Sequence, residues 1–163
     1  MNSQNLQQIL AENGIISSDY HLFRSAYILE NEENKFLLTF TDKAMHPHIP
    51  FGKKWQFLND TYWGCDLFDK EEDEIETICK CVHQYTNIRI FPEQISLLHF
   101  ETGKTFEADS TLFLAFHIKL ESRNQVEDFK FWSDYCYAKM WVFQSEVLEK
   151  LEVAIDKKIF ELI

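Results

Sequence analysis

Five acids, Glu71, Glu72, Asp73, Glu74 and Glu76, stand just ahead of Cys79, Cys81 and His83, and this stretch offers the densest set of metal-type donors in the chain. Carboxylates hold hard cations, whereas thiolate and imidazole suit softer ones. Cys79 and His83 are four residues apart, so on a helix they share a face and could reach one ion. A closed site needs four ligands, and no Cys-x2-Cys pair supplies the others. Cys79 also falls on an apolar stripe, where a buried, inert thiol is the ordinary outcome. The acids fall where a helix begins, and a solvated helix start favoured by the dipole accounts for them. No metal site is expected here.

A second cluster surrounds His46, Pro47, His48 and Pro50 and runs on into Phe51, Gly52, Lys53, Lys54 and Trp55. Imidazole, ammonium and indole groups together can stack on a base and pair with a phosphate. His48, Lys53, Lys54 and Trp55 are therefore candidate ligand contacts, weighed against an ordinary polar surface loop. Trp63 joins them as either a core residue or a stacking platform. Cys81 and His83 are no nucleophile–base pair, since residues two apart on a helix do not face each other. There is no glycine-rich phosphate loop.

The elements that position these residues must come from one domain. A chain of 163 residues that is 45% hydrophobic has enough apolar surface for a single packed core. Its net charge of −11, with the basic residues scattered, speaks against broad nucleic-acid binding. The same charge suits solubility and would attract a basic protein partner. No apolar run approaches the ~18 residues of a membrane span. Residues 1–8 are polar, without a basic-then-apolar leader, so a cytoplasmic chain with reduced cysteines is expected.

Periodicity places a helix over 3–14, ended by Gly14, then a hairpin of strands 22–29 and 35–41 around the polar residues 30–34. A short strand at 55–58 precedes a turn at Asn59 and Asp60. The clearest helix spans 71–86, with Ile75, Ile78, Cys79, Val82 and Tyr85 or Thr86 on one face. Strands follow at 95–101, 110–120 and 137–143, then a helix at 147–151 with Ser145 as its N-cap. This order is α+β with a mixed sheet rather than a βαβ series.

Order and residues together resemble the Nudix family, whose box G-x5-E-x7-R-E-U-x-E-E-x-G-U (U aliphatic) forms loop, helix and loop. With Ile88 as the final U, Val82 falls on the internal U and Glu72 on the first E. Lys80 stands in place of R, and Asn87, the commonest non-glycine residue in left-handed backbone, in place of the last G. The preceding hairpin and the closing Met140-Trp141-Val142 strand with its helix extend the likeness over residues 20–152. The resemblance implies a Nudix-like α/β/α sandwich, with 1–18 as a helical extension and 153–163 as a tail.

In the family, the glutamates of the box hold divalent cations that assist attack of water on a diphosphate. Here Asp66 replaces the opening glycine, and the core reads Lys80-Cys81-Val82-His83-Gln84-Tyr85. A thiol, an amide and a phenol are poor ligands for hard cations. The expectation is a Nudix-like domain without the usual hydrolase chemistry, needing no cofactor, that binds a nucleotide-like small molecule or a protein. A divergent hydrolase using Mg²⁺ or Mn²⁺ would have Glu72 as its only acidic match to the box. An acidic inhibitor of a basic partner is the further alternative.

Overall fold

A computed structural model of the chain describes residues 1–16, 19–20, 22–41, 53–63, 73–103, 111–124 and 136–163, and only the backbone of 61–63. The strands are β1 (Leu22–Glu30), β2 (Lys35–Thr41), β3 (Lys54–Gln56), β4 (Leu58–Trp63), β5 (Ile95–Gly103), β6 (Thr111–Lys119) and β7 (Cys136–Phe143). The helices are α1 (Ser3–Glu12), α2 (Glu74–Thr86), α3 (Gln144–Lys150) and α4 (Ala154–Phe160).

Among the described residues the strands make one mixed sheet with β1 near its middle. On one side β6 runs parallel to β1 over its whole length, from Leu22 opposite Thr111 to Glu30 opposite Lys119, with β5 antiparallel outside it. The other edge of β1 is shared. β4 pairs with Leu22 to Tyr27, and β2 joins only at Glu30 opposite Phe36. The 30–34 connection is tight, with the Asn31 side chain accepting from the Glu33 and Lys35 amides and Asn34 at φ 56°. The two strands still separate at once, because β4 occupies the edge a long hairpin would use. β2 pairs instead with β7 and β3.

Alternation assigns each side chain to a layer. Phe23, Tyr27 and Leu29 of β1 and Leu112, Leu114, Phe116 and Ile118 of β6 pack with Leu6 and Leu10 of α1 and Ile75, Ile78 and Val82 of α2. Ala26, Ile28, Phe113 and Ala115 face the opposite way, onto Val147 of α3 and Ile159 and Phe160 of α4. Strands buried on both faces read as nearly continuous apolar runs, as β1 and β6 do. No helix among the described residues is long and apolar enough to cross a membrane.

Four details differ from the sequence expectation. The strand expected at 55–58 is broken at Phe57, so β3 and β4 are separate. Asn59 and Asp60 form no turn; they lie within β4, opposite Ala26 and Ser25. The break is absorbed by Phe57 alone, whose N–H donates to Asp156 (2.8 Å) and whose carbonyl accepts from Asn59 (3.0 Å). Ser145 is not the cap of α3: β7 runs straight into the helix, and Phe143 takes the N-cap position without a side-chain bond. Finally, residues 153–163 contain α4, whose Ile159 and Phe160 are buried and whose Phe160 ring meets Phe36 edge-on at 5.0 Å.

Candidate functional site

α2 carries the residues that the sequence resemblance aligns with the end of the box, Lys80 to Tyr85, and is the longest helix among the described residues. The Asp73 carboxylate caps it, accepting from the Ile75 and Glu76 amides, and Asn87 closes it at φ 60°. Asn87 therefore does at the C-cap what glycine does in the box. The helix begins three residues later than the pattern places it, and Glu71 and Glu72 lie outside the described residues. The remaining acids have structural work: Asp73 is the cap, Glu74 is buried and accepts from the Gln7 side chain of α1, and Glu76 is exposed.

At the positions where the family has metal-holding glutamates, Cys81 is half-buried, Gln84 is exposed and Tyr85 is half-buried. The Tyr85 hydroxyl donates to the carboxylate of Asp60, a buried residue of β4. Alternation explains the meeting: Leu58 belongs to the core on the α2 side of the sheet, and Asp60, two residues on, shares its face. Burial pushes the Tyr85 phenol far above the usual tyrosine range, and the Asp60 charge and hydrogen bond push it the same way. The phenol stays a neutral donor.

These residues do not fit a Mg²⁺ or Mn²⁺ site. Such ions need several anionic oxygens, and among the described residues this place offers the Asp60 carboxylate, already occupied by a hydroxyl. Among the described residues no three or more His, Cys, Asp or Glu side chains gather as a metal-binding group. Cys79 is half-buried against the core and His83 is exposed. Burial, aided by the charges of Glu76 and Asp73, holds the Cys79 thiol up at about 11, so it is protonated rather than a ready ligand.

The second cluster falls elsewhere, on β3, which pairs with the last residues of β2 on the edge opposite β7. His48 lies outside the described residues. Lys53 is exposed, with its Nζ 3.8 Å from the centre of the Tyr137 ring of β7. Lys54 opens β3 opposite Thr41. The Trp55 ring stacks on Phe40 at 5.1 Å, and its peptide is held from both sides by Glu152, so much of this indole serves packing. Only the backbone of Trp63 is described, paired with Leu22. The fold thus brings Lys53, Lys54 and Trp55 together, joined by Tyr137, while Asp60 and Tyr85 meet on a different strand pair. Asp60 and Tyr137 are absent from the sequence-derived candidates. Asp60 could be found only once 58–63 is read as a strand, and Tyr137 only once β7 is known to flank β2.

No protein-family model matches the sequence, and no curated protein does. Solved structures do match in chain path. The Nudix domain of NrtR from Shewanella oneidensis, complexed with ADP ribose, is 12% identical with a TM-score of 0.63, covering 87% of this chain and 85% of that one. The MutT protein of Methanosarcina mazei Go1 is 15% identical at TM-score 0.60, with 87% and 91% covered. The C-terminal domain of mouse MUTYH, solved with human PCNA, is 10% identical at 0.54, with 86% of each chain covered. Identities this low carry the fold and nothing finer: the helix-flanked mixed sheet of this chain is a Nudix-like fold.

Proposed function

We propose that this Nudix-fold chain has lost metal-dependent hydrolysis and uses the scaffold to bind a nucleotide-type small molecule. The observation that carries the first half is the donor set on α2. Thiol, amide and phenol stand where anionic oxygens are required, and the phenol is committed to Asp60. The second half is supported by the NrtR domain, a chain of the same fold solved with ADP ribose. The setting we propose is cytoplasmic, in keeping with the free thiols of Cys79, Cys81 and Cys136.

A panel of dinucleotides, nucleotide sugars and nucleoside triphosphates, scored for both melting temperature and turnover in Mn²⁺, tests this. At least one nucleotide should raise the melting temperature by several degrees, with no phosphate or nucleotide released. Metal-dependent product formation that disappears in Glu72→Gln or Asp60→Asn would instead establish a divergent hydrolase drawing an acid from outside the box. The charge of −11 favours one other reading, a basic protein partner. Its mark would be capture of a single basic protein that weakens steeply with salt.

A further inference from the structure

At Tyr85, one of the positions that the resemblance aligns with the cation-holding glutamates of the box, the side chain makes a hydrogen bond to Asp60. Tyr85 comes from α2 and Asp60 from β4, so the bond ties the helix to the strand that pairs with β1. A cation held between carboxylates makes the same kind of tie, but only while the ion is bound. A hydroxyl donating to a carboxylate needs no ion and leaves no repelling charges. Half-buried Tyr85 and the buried Asp60 satisfy each other where water has little access. Cys81 lies close to the Tyr85 phenol, and its sulfur adds no anionic oxygen there.

We propose that the Tyr85–Asp60 bond is a metal-free clamp standing in for the cation, and that one substitution, Tyr85→Glu, turns the same place into a divalent-cation site. The inference deepens the proposed loss of metal chemistry and rests on it. In Tyr85→Glu two carboxylates face each other from α2 and β4. They repel when empty, and a hard cation such as Mn²⁺ or Ca²⁺ bridges them. In wild type, a cation would first have to displace the hydroxyl, and Tyr85 would offer it no carboxylate.

The test is a melting series in EDTA and in millimolar Mn²⁺, with Mn²⁺ binding followed directly by electron paramagnetic resonance. Wild type and Tyr85→Phe should melt at the same temperature in both solutions and leave Mn²⁺ free. Tyr85→Glu should melt lower in EDTA, recover by several degrees in Mn²⁺ and bind the ion. Mn²⁺ bound by wild type, or a folded Tyr85→Glu indifferent to it, overturns the clamp. If Tyr85→Glu does not fold, a double-mutant cycle decides. Tyr85→Phe, Asp60→Asn and their combination should be non-additive, with the double variant melting no lower than the worse single one. Additive losses would sink the clamp. Turnover in Mn²⁺ by wild type is the separate result that would sink the proposed function; Mn²⁺ binding without turnover sinks the clamp alone.

Discussion

The two faces of the sheet are covered by unequal means. On one face lies α2, an amphipathic helix of 13 residues capped at both ends, with α1 packed beside it. On the other lie α3 and α4, helices of 7 residues each, neither of which has a side-chain N-cap. The second face is held by chain-to-strand bonds instead. Glu152 grips the Trp55 peptide from both sides, and Asp156 accepts from Phe57. The buried carboxylates differ in the same sense. Asp60 meets a side-chain hydroxyl from α2. Asp156 has one oxygen on a backbone amide and the other, Oδ1, buried with no hydrogen-bond partner among the described residues. A well-formed helix brings its own partners, whereas short helices borrow them from the sheet and leave one acid under-satisfied.

The comparison would break if the α4 face were dispensable. Removing residues 153–163 strips Val153, Ile159 and Phe160, all buried, and uncovers Phe36. Each such side chain contributes roughly 1.5–3 kcal/mol, so the loss is comparable with the whole 5–15 kcal/mol margin of an ordinary domain, at about its lower end. The truncated chain should show no cooperative calorimetric transition. A melt within a few degrees of wild type would make α4 an appendage.

A finer effect concerns Asp156 itself. Burial raises its carboxyl to about 7, opposed in part by the Phe57 amide. An acid whose folded pKa lies above its unfolded value is fully stabilising only below the unfolded one. The protein should therefore lose stability as pH rises from about 4 through about 7, by at most about 4 kcal/mol. Asp156→Asn keeps an oxygen for the Phe57 amide and cannot ionise, so this slope should flatten. Melting curves across that range check it, and a variant with the wild-type slope would assign the pH dependence to another group.

The same inequality decides what was legible in the sequence. α2 shows itself through nearly four turns of spacing, Ile75, Ile78, Val82 and Thr86, all buried. α4 offers two turns, with Ile159 and Phe160 adjacent, and its residues read as a tail. The strands β1, β2, β5, β6 and β7 are visible because their apolar runs are long. β4 is not, since its Asn59 and Asp60 look like turn residues until tertiary partners are known: Ala26 and Ser25 across β1, and Tyr85 for Asp60. That Cys81, Gln84 and Tyr85 carry no carboxylate is plain from residue type alone. The contact that Tyr85 makes, with Asp60 25 positions away, is one that no local pattern announces.

The smallest expected effect sharpens the contrast at the helix ends. Asp73 accepts from two amides that would otherwise lack a partner at the start of α2, so Asp73→Ala should cost about 1 kcal/mol. Ser145 has the residue type of a cap, yet it sits inside the first turn of α3, exposed and one position past the helix start, with Phe143 at the cap. Ser145→Ala should therefore stay within about 0.5 kcal/mol of wild type. Urea titrations of the two variants, compared at equal slope, separate the cases. If Ser145→Ala proved as costly as Asp73→Ala, α3 would begin with a cap after all, and the two faces would differ in helix length but not in how their helices are closed.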